Sequence, residues 1–88
     1  MLELIRGARF EKDVEKLKKR GKDMQKLVDI TKLLILKKTL PPKNRNHKLS
    51  GNLSDSWECH IEPDWLLVYK KTDTAIILSR MGTHSDLF

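Results

Sequence analysis

A chain of 88 residues has room for one domain, and a domain this small buries only roughly 60% of the surface its unfolded chain exposes. With 39% hydrophobic and 34% charged residues, and no apolar run near the roughly 20 residues that span a bilayer, the composition excludes a transmembrane helix. The net charge of +6 points to an anionic partner, nucleic acid, ribosome or acidic protein, with a lipid surface the weakest fit.

The opening Met1-Leu2-Glu3-Leu4-Ile5-Arg6 is too short in apolar content for a secretory signal, and the single cysteine, Cys59, has no partner for an internal disulfide. A reducing, cytoplasmic setting is expected. Residues 2–5 read as a strand, broken at Arg6-Gly7. Phe10, Val14 and Leu17 recur at i, i+4 and i+7 among charged residues, which predicts an amphipathic helix over residues 8–20, ended by Gly21. Asp23 is the expected N-cap of a second helix, with Leu27, Val28, Thr31, Leu34 and Ile35 on one side, widened by Met24, Ile30 and Leu33. Pro41-Pro42 closes it, with Leu40 extended.

Much of the excess positive charge lies on these helices, at Lys12, Lys16, Lys18, Lys19, Arg20, Lys22, Lys26, Lys32, Lys37 and Lys38. Glu11, Asp13, Glu15, Asp23 and Asp29 dilute it, so a solvated face and a binding face fit equally. Residues 41–55 read as a surface loop bearing Lys43, Arg45, His47 and Lys48. The pattern then turns to β over Ser56–Glu62, Trp65–Lys71 and residues 74–81, with turns at Pro63-Asp64 and Thr72-Asp73. The expected fold is α+β, a single domain over residues 1–88: one N-terminal strand, a helical hairpin and a three-stranded antiparallel meander.

Two-residue turns put Glu62 opposite Trp65, His60 and Leu78 opposite Leu67, and Arg80 opposite Trp65. His60, Glu62, Trp65, Leu67, Tyr69, Ile76, Leu78 and Arg80 then share one face. Trp57, Cys59, Ile61, Leu66, Val68, Ala75, Ile77 and Met81 share the other, which is apolar enough to take the helices. Asp64, Trp65, Arg80 and His84 meet at one edge, with His47 folded over them.

That set suits RNA cleavage by 2′-hydroxyl attack, which needs a base, an acid for the leaving 5′-oxygen and positive charge on the phosphorane. A histidine of unperturbed pKa about 6.5 serves as acid or base near neutrality. Arginine stays protonated and binds phosphate at two points, and tryptophan stacks on bases. Taken singly, each residue has a plainer reading: a surface histidine, a packing tryptophan, and an Arg80 paired with Glu62 or Asp64. Cys59 and His60 point to opposite strand faces and match no zinc spacing, so neither metal nor cofactor is expected. Glu62 and Asp64 lack the deep cleft of a glycosidase pair, and Cys59 reads as a small buried hydrophobe.

The run His60-Ile61-Glu62-Pro63-Asp64-Trp65-Leu66-Leu67-Val68-Tyr69, followed by Arg80-Met81-Gly82-Thr83-His84 and Leu87-Phe88, closely resembles YafQ-type toxins of the RelE/ParE superfamily. Lys22-Asp23-Met24, Thr39-Leu40-Pro41 and His47-Lys48-Leu49 with Gly51 extend the similarity over nearly the whole chain. The resemblance implies a RelE-like fold and a ribosome-dependent, metal-independent endoribonuclease acting on messenger RNA, inhibited by a cognate antitoxin protein. By motif position, His47, His60, Asp64, Arg80 and His84 form its catalytic set. Trp65 and Phe88 hold or stack the RNA, and Lys43, Arg45 and Lys48 add basic contacts. His84 is the expected acid, Asp64 with His60 the base or its orienter, and Arg80 the phosphorane stabiliser. Two features depart from the pattern: Phe88 as last residue brings a carboxylate beside the RNA, and residues 52–56 do not follow it. The alternatives are a non-catalytic, ParE-like gyrase inhibitor and a basic RNA- or ribosome-binding module. The histidine-rich C-terminal motif favours the nuclease.

Overall fold

Apolar residues one helical turn apart build a two-helix layer, and alternation along the strands builds the sheet that it covers. In the computed structural model, which describes residues 1–51 and 55–88, the order is β1 (Glu3–Arg6), α1 (Ala8–Lys19), α2 (Met24–Ile35), a 3₁₀ turn (Pro42–Asn44), β2 (His47–Lys48), β3 (Ser56–Glu62), β4 (Trp65–Lys71), β5 (Ala75–Gly82) and α3 (His84–Leu87). Residues 52–54, within the expected loop and the stretch that departs from the family pattern, lie outside the described residues. No described helix is long and apolar enough to cross a membrane.

The helix signals act as read. Phe10, Val14 and Leu17 are buried, and Gly21 follows α1 at φ +84°, a left-handed conformation that costs glycine little. The Asp23 carboxylate accepts the Gln25 N–H at 3.0 Å, capping α2. That helix stops at Ile35, well before the prolines. Lys37 turns left-handed (φ +59°), and the N–H groups of Lys37 and Lys38 donate back to the carbonyls of Leu34 and Leu33. A lysine thus fills the place glycine usually takes in this helix ending. Val28, expected on the inner side, is exposed, while Thr31 is buried with its hydroxyl donating to the Val28 carbonyl at 3.0 Å.

The sheet has five strands in the order β1-β5-β4-β3-β2. β1 runs parallel to β5, pairing Glu3 with Ala75 and Arg6 with Leu78, and the other pairs are antiparallel. The expected meander is present, widened by β1 on one side and by the two-residue β2 on the other.

The register corrects the expected faces. Glu62 opposes Trp65 as anticipated, but a bulge between His60 and Glu62 puts Cys59 opposite Leu67 and His60 opposite Leu66. The β4–β5 turn is wider than the two residues expected, Lys71 pairing with Ile76 rather than Thr74, which puts Tyr69 opposite Leu78; a second irregularity then puts Val68 opposite Arg80, so Arg80 does not face Trp65. One inserted residue flips every side chain beyond it. The core under the helices therefore contains Cys59, Trp65, Leu67, Tyr69, Ile76, Leu78 and Met81. The face expected to carry the chemistry supplies most of this core. Leu66 and Val68 are buried outside that cluster and floor the opposite face with Glu58 and His60.

A short C-terminal helix was not anticipated. Thr83 and Asp86 form a reciprocal cap: the Asp86 N–H donates to Thr83 Oγ1 at 3.2 Å, and the Thr83 N–H donates to Asp86 Oδ2 at 2.9 Å.

Candidate active site

Register places the reactive side chains in two adjacent rows across the outer face of the sheet. His47, Glu58, Val68 and Arg80 are successive partners in one row, and His60, Leu66 and Gly82 in the next. His84 follows two residues after Gly82, at the first position of α3. Strand pairing thus unites residues that lie up to 37 positions apart in sequence, from His47 to His84.

His84 is fastened to the β3–β4 turn. One oxygen of Asp64 accepts both the His84 backbone N–H at 2.9 Å and the ring Nδ1–H at 2.6 Å. The backbone donor first, and the ring second, hold the Asp64 carboxyl below the usual carboxylate range. An ionised Asp64 acts only as acceptor, so the proton sits on Nδ1 and Nε2 is left to exchange a proton with a substrate.

His47 carries the same logic with a carbonyl in place of the carboxylate. Its Nδ1–H donates to the Arg45 carbonyl at 2.7 Å, and Arg45 holds a left-handed backbone (φ +45°). His47 Nε2 lies 3.6 Å from Glu58 Oε1, and His60 Nε2 lies 3.6 Å from the same oxygen. The His60 and His84 rings meet edge to face, with centroids 5.7 Å apart. The line His47, Glu58, His60, His84, Asp64 is therefore continuous. Buried Asn44 supports it, donating from Nδ2 to the His60 carbonyl at 2.7 Å.

Lys43, Arg45, His60 and Pro63 line a cleft of about 320 Å³. A larger cavity of about 730 Å³, bounded by Leu2, Leu34, Trp57 and Tyr69 among others, shares none of the sequence-nominated residues. Chemistry, not size, selects the smaller one.

Arg80 is held from α1 rather than by Glu62 or Asp64: its Nε donates to Asp13 at 2.8 Å. Glu62 is occupied by Lys22 at 2.8 Å and Lys26 at 2.6 Å, which hold its carboxyl below the usual range. Phe88 is 67% exposed, and its N–H donates to the His84 carbonyl. Of the nominated residues, Lys43, Arg45 and His60 line the cleft, and Trp65 and Lys48 lie away from the outer face altogether. Trp65 is 0% exposed, packed in the core with Lys22 Nζ 5.9 Å from its ring centroid, so neither ring face is open to a base. Lys48 pairs with Trp57 and so lies, by strand alternation, on the face opposite His47. Glu58, 7% exposed between two histidines, escaped the sequence reading. Its signal was the i, i+2 spacing from His60, which puts both on one strand face.

Fold and site together define a small RelE-like toxin domain: a helical hairpin on one side of a sheet, with histidines, carboxylates and an arginine on the other. A family model described as a bacterial toxin of type II toxin-antitoxin systems, YafQ, matches residues 2–88. The chain belongs to the YafQ toxin family. It is 42% identical over 83 residues to the mRNA interferase toxin YafQ of Escherichia coli K12, spanning 93% of this chain and 90% of that protein. The E. coli DinJ-YafQ toxin-antitoxin complex contains a chain superposing with TM-score 0.91 at 39% identity over 99% of this chain and 97% of its own. A copper-bound L66S mutant toxin from Helicobacter pylori superposes with TM-score 0.96 at 41% identity over the full length of both chains. In this chain, no group of three or more His, Cys, Asp or Glu side chains is gathered for a metal ion among the described residues.

Proposed function

We propose that this chain is an mRNA interferase, an endoribonuclease acting in the cytoplasm on ribosome-bound messenger RNA and neutralised by an antitoxin protein. The observation that carries this reading is the His84–Asp64 pair, 2.6 Å between Nδ1 and Oδ1, facing His60 across 5.7 Å beside a basic cleft. Family membership and likeness to a toxin crystallised with its antitoxin support it.

His60, beside the Glu58 carboxylate, takes the proton of the ribose 2′-hydroxyl. The 2′-oxygen bonds to phosphorus, the bond to the 5′-oxygen breaks, and His84, entering as the imidazolium with its Nδ1–H held by Asp64, gives that oxygen the proton on Nε2. The products are a 2′,3′-cyclic phosphate and a 5′-hydroxyl. Asp64 orients His84 rather than assisting His60, because both its bonds go to His84. Arg80 meets the charge on the phosphorane, Lys43 and Arg45 hold flanking phosphates, and exposed Phe88 offers a stacking surface. His47 is the second base of this side, its Nε2 toward the same Glu58 oxygen. Positioned acid-base catalysis supplies about 10²–10⁴-fold.

The test is inducible expression of wild type and His84→Ala in a bacterium, reading growth together with 5′-end mapping of messenger RNA. Growth arrest with new cuts in wild type, and neither in His84→Ala at equal soluble level, is expected. Arrest by both proteins without cuts overturns the reading in favour of a gyrase-type or binding toxin.

A further inference from the structure

The charged first helix looks from sequence like a solvated or RNA-binding surface. In the fold, three of its charged residues turn toward the catalytic end. Asp13, Lys16 and Arg20 follow one another at i, i+3 and i+7, which puts them along one side of α1 and its C-cap.

Asp13 sits where β1 has run out. The parallel partner of β5 ends at Leu78, leaving the Met81 N–H without a strand to pair with. Asp13, 6% exposed, accepts that N–H at 3.0 Å and Arg80 Nε at 2.8 Å, both on Oδ2. Gripping the guanidinium by Nε fixes its plane. The two terminal nitrogens make no side-chain bond among the described residues, so the phosphate-binding end of the fork stays free.

Asp86 does the same for His84. Arg20 Nη1 donates to its Oδ2 at 2.7 Å and Arg20 Nη2 to its Oδ1 at 3.2 Å, while Lys16 Nζ reaches Oδ1 at 3.1 Å. The cap between Thr83 and Asp86 passes this grip to the start of the four-residue α3, where His84 stands. Gly82 keeps room for it, since a Cβ there would lie 2.8 Å from the Asp86 Cβ. The strongest hydrogen bonds to Asp86 come from Arg20, and they hold its carboxyl far below the usual range.

We propose that α1 is the positioning helix of the catalytic end, with Asp13 setting the plane of Arg80 and Asp86, clamped by Lys16 and Arg20, setting His84. This rests on the assignment of Arg80 and His84 as catalytic residues. Neither aspartate touches RNA in this arrangement.

The test compares Asp13→Asn, Asp86→Asn and the double variant Lys16→Ala/Arg20→Ala with wild type, using Arg80→Ala and His84→Ala as references. Each asparagine keeps an oxygen for the neighbouring backbone N–H and removes the charge. Two readouts are taken: cleavage of a messenger RNA on purified ribosomes, with kcat and KM separated, and amide hydrogen exchange by NMR. Asp13→Asn and Asp86→Asn are expected to lower kcat by between about 10- and 100-fold with KM nearly unchanged, the cost of a misplaced catalytic group. Exchange at the His84 amide should speed up in Asp86→Asn and in the α1 double variant but not in Asp13→Asn, with Leu67 and Tyr69 still protected in all three. Wild-type kcat in the aspartate variants while both references are silent overturns the proposal, as does loss of protection at Leu67 and Tyr69 in step with the kcat loss. If both references still cut, the assignment of Arg80 and His84 falls. Unchanged His84 exchange in Asp86→Asn then overturns the clamp on its own, and local acceleration upholds it. Should Asp86→Asn not fold, the α1 double variant, altered only at exposed side chains, decides the clamp.

Discussion

Trp65 separates two roles that the sequence alone joins, because a ring buried in the core and a ring stacked on a base respond differently to loss of aromaticity. Replacing it by leucine keeps an apolar side chain but removes the stacking surface. The smaller side chain forfeits about 2–3 kcal/mol of burial and packing. Against this, the buried indole Nε1 has no hydrogen-bond partner among the described residues, and removing an unsatisfied donor returns about 1–3 kcal/mol. The two terms leave Trp65→Leu between about 1 kcal/mol more and about 2 kcal/mol less stable than wild type, so its melting midpoint stays within roughly 15 °C of the wild type's. The folded variant should bind and cut ribosome-bound messenger RNA with KM within a factor of about two, since no base contact has gone. Loss of a stacked base, worth about 1–3 kcal/mol, raises KM by roughly 5- to 150-fold instead. Thermal unfolding by circular dichroism and cleavage kinetics at 25 °C, well below the midpoint, measure the two effects separately. A KM raised tenfold or more in the folded variant refutes the core assignment.

Two further outcomes concern groups whose ionisation the fold shifts. Burial, and the neighbouring Glu58 after it, push the Cys59 thiol up to about 12, so at pH 8 on the order of one molecule in 10⁴ carries the thiolate. Iodoacetamide should leave native Cys59 intact while labelling it readily in guanidinium, and rapid native labelling followed by mass spectrometry overturns this. Glu62 and Asp86 are both held below their ordinary values, by Lys22 with Lys26 and by Arg20 respectively. Their folded values lie below the unfolded ones, so their stabilisation is full above about pH 4 and fades as pH falls toward the depressed folded values. The melting midpoint of wild type should drop below pH 4. The gap between wild type and Asp86→Asn should be wide at pH 7 and narrow steadily from pH 4 to pH 2, and a constant gap contradicts the assignment.

The helices were readable because their determinants are local: Phe10, Val14 and Leu17 repeat at the helical period, Gly21 supplies a left-handed turn, and Asp23 caps the second helix. The face of each strand was not. Every residue from Trp65 to Tyr69 is buried, so alternation does not mark an inner side of β4. Two irregularities of one residue each then change the parity on which the expected register depended. For the same reason Arg80 was expected opposite Trp65, and the reach of Asp13 to it, 67 residues away, leaves no local trace. The candidate site residues were nominated through the family motif. Their grouping needed the strand pairing that sets His47 opposite Glu58, which stands two residues from His60 on β3.

The parallel pairing of β1 with β5 sets how late in the chain the sheet can be completed. Glu3 has no strand partner until Ala75 exists, so the hairpin of helices emerges before every strand of its sheet but β1. Closing a loop of that span is among the slower steps of folding, and it gates the rest. Arg80 and His84 lie just beyond the closing strand's first residues. A polypeptide halted before residue 75 lacks the partner of its first strand together with Arg80 and His84. The strand that completes the sheet and the two groups that the proposed chemistry needs thus share one stretch, residues 75–84.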